Sequence, residues 1–340
     1  MKNDMNMRQL FDSVCRTETK KALPILSFPA IHLLGVSVKD LIADSHLQAE
    51  GMRLVAERTD ALASVSFMDL SVEAECFGAS VRFSDNEVPT VTGRLIESEE
   101  DAERLEVPAV GAARSGIYID AIRRASAEIN DRPVLAGMIG PFSLAARLMD
   151  VSEIMMTCYD DPDVVHLVLE KVTAFLIAYA KAYREAGANG IVMAEPVAGM
   201  LSPSLEEEFS SPYVKQIVDA VQDDTFAVVY HNCGDNTPRM LDSILSTGAA
   251  AYHFGNAVSM REMLEKIPAD IVVMGNLDPA AVLRMGDTET VRRATLALMT
   301  DCAPYPNFVP SSGCDMPPLT PWENIDAFFE AVEAFYERAL

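Results

Sequence analysis

The stretch Phe226-Ala-Val-Val-Tyr-His-Asn-Cys-Gly234 has the pattern of a buried β-strand that ends in metal-binding residue types. Its first five residues are apolar, which is typical of a strand in a parallel sheet covered by helices. Because residues two apart in a strand point to the same side, His231 and Cys233 are predicted to project together from the strand end. A third soft ligand, Cys314, closes a second apolar stretch, Phe308-Val-Pro-Ser-Ser-Gly-Cys314.

Similar apolar stretches recur along the chain and, from Gly116 onward, alternate regularly with helical patterns. The candidate strands lie near residues 25, 63, 135, 192, 228, 252, 273 and 310. The candidate helices cover residues 5–20, 38–58, 117–129, 142–149, 162–186, 204–221, 236–245, 259–266, 288–301 and 321–338. Eight strand–helix units favour an α/β fold of the (β/α)8 TIM-barrel type over an open, doubly wound sheet. The sequence contains no Gly-x-Gly-x-x-Gly fingerprint and no Walker-type loop, so a nucleotide-binding fold is disfavoured.

Two segments depart from this alternation. The helix predicted at residues 5–20 forms an N-terminal extension ahead of the first strand. Residues 73–91 have the pattern of a β-excursion around a polar turn, after the second strand. We interpret residues 69–110 as an insertion within one domain that spans residues 1–340, not as a separate domain.

The composition excludes several classes of function. The formal net charge is −24 over 340 residues, and no cluster of basic residues is present, so nucleic acid and anionic membranes are disfavoured as partners. No apolar run is long enough to span a bilayer, and the first residues lack an apolar signal core. We therefore expect a soluble, cytoplasmic protein. The six cysteines are scattered, which is not the pattern of a small disulfide scaffold.

Polar residues collect at the predicted carboxyl ends of the strands, which is where TIM barrels carry their chemistry. One histidine and two cysteines, His231, Cys233 and Cys314, form the ligand set of a zinc site with one open position. Two plainer interpretations stay open at this point. In one of them, His231 and Cys233 are ordinary packed side chains of a strand. In the other, Cys233 and Cys314 form a disulfide.

Four further residues at the strand ends are candidates for the site. Glu195 is either an exchangeable fourth ligand, a proton acceptor, or a strand-end acid that caps Ser202 or a nearby loop. Asn276 and Asp278 are candidates for substrate binding, although Asp278 is also well placed to cap the next helix. His253 either lines the pocket or supports another site residue from behind.

At these residues the chain resembles the uroporphyrinogen decarboxylase superfamily, and within it the zinc methyltransferases that move a methyl group from a methylated corrinoid protein to coenzyme M. The matching segments are Ala194-Glu-Pro-Val-Ala198, Leu201-Ser-Pro203, Tyr230-His-Asn-Cys-Gly234, Gly275-Asn-Leu-Asp-Pro279 and Ser312-Gly-Cys-Asp-Met-Pro-Pro-Leu-Thr-Pro-Trp-Glu-Asn324. The resemblance implies a (β/α)8 barrel, zinc held by His231, Cys233 and Cys314, and an acid at Glu195 that completes the zinc shell. It also implies a partner protein that carries the corrinoid, since the chain has no Asp-x-His-x-x-Gly cobalamin signature.

The decarboxylase branch of this superfamily fits less well. Its members resemble one another in an arginine-rich motif after the first strand, whereas this chain has Ser27-Phe-Pro-Ala-Ile-His-Leu-Leu34 there. A porphyrinogen with eight carboxylates needs guanidinium partners. The segment Asn276-Leu-Asp-Pro279 is the exception, because it is more similar to the decarboxylases.

The resemblance thus implies zinc-dependent methyl transfer from a methylated corrinoid to a thiol such as coenzyme M. A sulfonate on that thiol would need a donor, for which helix amino termini or Arg239 are candidates. Two alternatives remain: decarboxylation of tetrapyrrole carboxylates, and a barrel that binds a corrinoid or tetrapyrrole without catalysis.

Overall fold

The fold is a curled parallel sheet surrounded by helices, as a computed structural model of residues 5–337 describes it. Seven parallel strands lie side by side in the order in which they occur in the chain, and the second and third of nine described strands form a separate antiparallel hairpin instead. The strands are β1 (Ser64–Val65), β2 (Ser80–Arg82), β3 (Thr90–Thr92), β4 (Val134–Ile139), β5 (Gly190–Ala194), β6 (Ala227–Asn232), β7 (Ala251–Phe254), β8 (Val272–Leu277) and β9 (Phe308–Ser312).

The segment 22–26 takes the eighth position of the barrel, between β1 and β9. The N–H of Leu62, just before β1, donates to the carbonyl of Ala22 over 2.8 Å, and the N–H of Leu23 donates to the carbonyl of Pro310 over 3.0 Å. The segment is not a regular strand, in contrast to the prediction of a strand near residue 25. Pro24 has no N–H to donate to a ladder, and the N–H of Ile25 donates to the side chain of Ser312 instead. The TIM-barrel prediction is confirmed, with this irregular eighth element.

The helices alternate with the strands and cover the outside of the sheet. They are α1 (Met7–Arg16), α2 (Ala30–Leu34), α3 (Val38–Ile42), α4 (Ser45–Arg58), α5 (Val72–Cys76), α6 (Glu99–Arg104), α7 (Ser115–Glu128), α8 (Pro141–Met149), α9 (Val151–Asp160), α10 (Pro162–Ala186), α11 (Pro203–Phe209), α12 (Ser211–Val221), α13 (Leu241–Ser246), α14 (Met260–Lys266), α15 (Thr288–Cys302) and α16 (Trp322–Glu337). Short 3-10 helices cover Ala198–Met200 and Thr237–Arg239, and a π-helix covers Pro279–Arg284.

Several helices differ from the prediction in their bounds. The predicted helix 38–58 is divided into α3 and α4, because the carboxylate of Asp44 accepts hydrogen bonds from the first N–H groups of α4 and so starts a new helix. The predicted helix 204–221 is divided at Ser210, and Pro212 lies in the first turn of α12. The predicted helix 236–245 is a 3-10 turn followed by α13. Helix α9 was not predicted, and α5 occupies the start of the segment predicted to be β-structure.

The barrel interior is a core of its own, distinct from the core between sheet and helices. Interior side chains include Val192, Val229 and Val309 from the strands, and Met7 and Phe11 from α1 belong to the same cluster. The N-terminal extension therefore fills the amino end of the barrel, and the carboxyl end is left for chemistry. Within the range 5–337, no helix combines the length and the apolar character needed to cross a membrane.

A buried charge cluster connects the start of the predicted insertion, residues 69–110, with Arg114, which lies shortly after its end. The Arg114 guanidinium pairs with Asp69 and with Glu75, the second over 2.7 Å, and also donates to Ser71. The Tyr118 hydroxyl donates to Asp69 over 2.8 Å. Asp69 and Arg114 are only 4% and 8% exposed, so water screens this cluster poorly.

Replacing Arg114 by Met should lower the free energy of unfolding by about 3–5 kcal/mol, because it leaves buried carboxylates without their cation. The measurement is urea denaturation followed by circular dichroism. Arg124→Met is the matched control, since it removes an exposed guanidinium that pairs with Asp120 on the surface and should leave the unfolding free energy nearly unchanged. Equal losses in the two variants would contradict this account of the cluster.

Candidate metal centre

The side chains of His231, Cys233 and Cys314 meet at the carboxyl end of the barrel. His231 lies in β6 in phase with Ala227 and Val229, which both face the interior. One ligand atom from each of the three predicted ligands lies within 4.8 Å of the other two. The structure therefore gathers the whole predicted ligand set at one point, although the ligands come from strand ends far apart in the chain.

The surroundings of these three residues suit a metal ion. The Nε2 atom of His231 is buried and has no hydrogen-bond partner among the described residues, which is uncommon for a buried polar atom unless something binds it. Glycine at position 255 allows the next loop to approach closely, since a Cβ there would lie 2.5 Å from the Cβ of Cys233. One imidazole and two thiols form a set that zinc accepts with one position open.

The two cysteines are free thiols that interact with each other, so the disulfide alternative does not describe this structure. A hydrogen bond from Cys314 lowers the pKa of the Cys233 thiol far below its usual value. The same hydrogen bond, together with burial, raises the pKa of Cys314 well above its usual value. The first proton therefore leaves this pair more easily than it leaves an ordinary thiol, and the second leaves less easily.

Glu195 faces away from the barrel interior. Val192 and Ala194 point inward from β5, so the next residue points outward toward the helices. Its carboxylate accepts hydrogen bonds of 2.9 Å from the N–H groups of Phe142 and Ser143, and one of 2.6 Å from the Ser143 hydroxyl, at the amino terminus of α8. Burial raises the pKa of Glu195 to about 7, although these three donors act against the shift. The acid thus caps α8, not Ser202, and is not part of the group of three ligand atoms.

His253 lies next to His231, on the inward side of β7. Its Nδ1 is 2.8 Å from Nδ1 of His231, and its Nε2 is 2.8 Å from the hydroxyl oxygen of Ser311. Burial lowers the pKa of His253 well below its usual value. Both ring nitrogens are therefore engaged by the protein itself, which fits the predicted supporting role better than contact with a substrate.

Asn276 and Asp278 also make local contacts. The Asn276 side-chain amide donates to the carbonyls of Gly255 and Val258 over 2.9 and 2.8 Å. Asp278 caps the π-helix by accepting from the N–H groups of Ala280 and Ala281, and its other oxygen accepts from Asn256. Both side chains are half-buried, and their predicted contact with substrate stays a prediction. Arg239 lines a surface groove with residues of α11 to α13 such as Lys215.

Three residues near the site were not predicted. Ser143 holds Glu195, and Ser311 holds His253 from the inward side of β9. Arg147 lies one helical turn after Ser143, and its buried Nε has no hydrogen-bond partner among residues 5–337. The two-residue alternation along β9 could have identified Ser311, because Val309 is clearly interior. The other two depend on the packing of α8, for which the sequence carries no local signal.

Comparisons with known proteins agree with this geometry. The family model described as "Uroporphyrinogen decarboxylase (URO-D)" matches residues 20–335. The chain is 28% identical over 300 residues to a methylcobamide:CoM methyltransferase, MtbA, of Methanosarcina acetivorans, covering 86% of each chain. It is 29% identical over 282 residues to a uroporphyrinogen decarboxylase of Coxiella burnetii, covering 80% of this chain and 77% of the relative. A methyltransferase structure from Methanosarcina mazei superimposes with a TM-score of 0.87 at 23% identity, over 97% of this chain and 98% of the other.

Zinc binding to the metal-free protein at pH 7.5 should release fewer than two protons per zinc from the two cysteines, because the first proton of the pair leaves more easily than that of an ordinary thiol. Two independent thiols with ordinary pKa values would release nearly two. Calorimetric titrations in buffers of different ionisation enthalpy measure this number. Cys15→Ser, which changes a half-buried thiol elsewhere, should leave it unchanged. A value close to two would show that the cysteines titrate like two ordinary thiols.

Proposed function

Because this chain belongs to the uroporphyrinogen decarboxylase family, we propose for it an activity named among its relatives, the transfer of a methyl group from a methylated corrinoid to a thiol such as coenzyme M. The relatives are enzymes of two kinds, methyltransferases and decarboxylases. The observation that carries the choice is the group formed by His231, Cys233 and Cys314, a ligand set whose chemistry is that of zinc.

In this proposal the three ligands hold zinc and leave one coordination position for the sulfur of the acceptor. Zinc bound there would lower the pKa of the acceptor thiol, so that the thiol would lose its proton to water near neutral pH. Cys233 and Cys314 contribute two negative charges, which keep the acceptor sulfur nucleophilic. That sulfur forms a bond to the methyl carbon while the cobalt–carbon bond breaks, and the electron pair stays on cobalt, which passes from Co(III) to Co(I).

For Glu195 we propose a structural role as the cap of α8, because its carboxylate lies outside the barrel interior and is buried among its donors. Binding to the metal would require the carboxylate to leave the three donors at the start of α8. The corrinoid is proposed to arrive on a partner protein at the carboxyl end of the barrel, since α1 fills the amino end.

Decarboxylation of a tetrapyrrole is the second candidate, and relatives with that name favour it. A substrate with many carboxylates needs several guanidinium partners. The segment Ser27–Leu34 carries none, and Asp278 and Asn276 are engaged in local hydrogen bonds. A barrel that binds a corrinoid without catalysis is the remaining alternative, which activity measurements separate from the first proposal.

Purified protein should contain about one zinc per chain and should demethylate methylcobalamin when a thiol is added. Cys314→Ser and His231→Ala should lose both properties, because each removes a ligand, whereas Cys15→Ser should keep both. Metal analysis and the absorbance change of methylcobalamin across a panel of thiols are the measurements. Protein without zinc would contradict the proposal. Zinc-loaded protein that never demethylates methylcobalamin would favour a binding protein.

Arg147 is our candidate for recognition of a negatively charged acceptor. Helix α8 is buried throughout except at this residue, which is half-buried. Burial lowers the pKa of its guanidinium, and its buried Nε has no hydrogen-bond partner in the described part of the chain. An unpaired buried donor of a cation is costly, and a sulfonate or carboxylate on the acceptor would offset that cost. Arg147 lies on the same helical face as Ser143, which contacts Glu195. We therefore prefer it to Arg239.

Arg147→Met should raise the KM for 2-mercaptoethanesulfonate roughly 10- to 100-fold, since a hydrogen bond to a charged group contributes about 1.5–3 kcal/mol. The KM for 2-mercaptoethanol, which is neutral, is the internal control and should change little. Steady-state rates with methylcobalamin as donor give both values. Equal effects on the two thiols would mean that Arg147 does not contact the anion.

A further inference from the structure

A chain of hydrogen bonds runs across the barrel interior from the candidate metal centre. Nδ1 of His231 lies 2.8 Å from Nδ1 of His253. Nε2 of His253 lies 2.8 Å from Oγ of Ser311, and that hydroxyl lies 2.7 Å from the carbonyl oxygen of Leu23. These hydrogen bonds therefore connect β6, β7 and β9 with the segment 22–26 that closes the barrel.

The far end of the chain determines the position of every proton in it. The carbonyl of Leu23 can only accept, so the Ser311 hydroxyl donates to it. The lone pair of that hydroxyl then accepts from the Nε2–H of His253. A neutral His253 has no second ring proton, so its Nδ1 accepts from the Nδ1–H of His231.

The near end of the chain leads to the same assignment independently. Nδ1 of His231 also lies 3.3 Å from the carbonyl oxygen of His253, which can only accept. The proton of His231 is therefore on Nδ1 by both arguments, and Nε2 carries a bare lone pair. Nε2 is also the atom that is buried without a partner. The reverse arrangement would turn the bare Nδ1 of His231 toward a carbonyl oxygen inside the barrel.

We propose that His253 and Ser311 are positioning residues, which hold His231 in the Nδ1–H tautomer so that Nε2 is available to a metal ion. The inference rests on the proposed function, because it assumes that His231 is a metal ligand. His231, His253 and Ser311 are at most 1% exposed, so water does not replace a missing member of the chain. Hydrogen-bonded partners behind a metal-binding histidine fix its tautomer and ring orientation in this way. His253 thereby acts through His231 and not on the substrate.

Ser311→Ala is the informative change, since it removes the hydroxyl that anchors the proton order while it leaves both histidines in place. His253 then loses the acceptor for its Nε2–H, so only the longer contact of 3.3 Å with the carbonyl of His253 still holds the proton of His231 on Nδ1, and the reversed order becomes populated. Ser312→Ala is the matched control. Its hydroxyl is equally buried and accepts from the N–H of Ile25 over 3.1 Å. Ser312 therefore contacts the segment 22–26 but is not part of the series of hydrogen bonds that leads to His231.

The first measurement is the tautomer of His231 in the metal-free protein, read from the 15N chemical shifts of the two ring nitrogens. The wild type and Ser312→Ala should show the Nδ1–H form, and Ser311→Ala should show a mixture of both forms. The second measurement is zinc affinity by competition with a chelator. It should fall about 10- to 100-fold in Ser311→Ala, the range typical of lost partners behind a metal ligand, and stay close to wild type in Ser312→Ala.

An Nε2–H tautomer of His231 in the wild type would overturn the proposal, and so would equal zinc affinities in wild type and Ser311→Ala. Equal losses of affinity in both serine variants would also overturn it, because they would indicate a general effect on barrel closure. The tautomer measurement uses no metal. Failure of wild-type protein to bind zinc would therefore refute the proposed function, whereas the 15N shifts would still decide the proton order.

Discussion

The two-residue alternation of side chains along the barrel strands is the constraint on which the site depends. Each strand places every second residue inside, and only the last inward residue of a strand can reach the carboxyl opening. His231, His253 and Ser311 are inward residues at strand ends, and they form the polar layer above the apolar interior. Glu195 follows an inward residue and therefore belongs to the layer between sheet and helices. The same rule thus turns His231 inward and Glu195 outward, whereas Cys314 lies beyond the end of β9 and out of phase with Ser311.

This constraint also explains how much of the molecule the sequence could predict. Near-continuous apolar strands and their spacing are enough to place His231, Cys233 and Cys314 at one end of a barrel, because the fold itself brings strand ends together. Hydrogen bonds between distant segments leave no such local trace. The donors to Glu195 lie more than 50 positions away, and the carbonyl that accepts from Ser311 lies 288 positions away. A polar residue inside a predicted helix can also start a new helix by capping it. Asp44 does so and divides one predicted helix into two.

Buried polar atoms without a hydrogen-bond partner indicate which kinds of ligand the candidate site suits. Glu195 is buried yet satisfied by three donors, so it requires nothing more. Nε2 of His231 and Nε of Arg147 are two of the buried atoms that have no partner among the described residues. The lone pair that we propose on Nε2 suits a cation, and the cationic donor of Arg147 suits an anion. In the proposed function, zinc would bind the first atom and a negatively charged group on the acceptor thiol would bind the second.

The irregular eighth element connects barrel closure to ligand orientation. Pro24 has no ladder donor, and two side-chain hydroxyls of β9 take part in the pairing with the segment 22–26. Ser312 accepts from Ile25, and Ser311 donates to Leu23 and accepts from His253. A regular strand would use backbone groups for all of this pairing and would leave the hydroxyl of Ser311 free to rotate. Because the carbonyl of Leu23 fixes that hydroxyl as a donor, the proton order that we propose begins at the barrel seam and leaves the lone pair of His231 on Nε2.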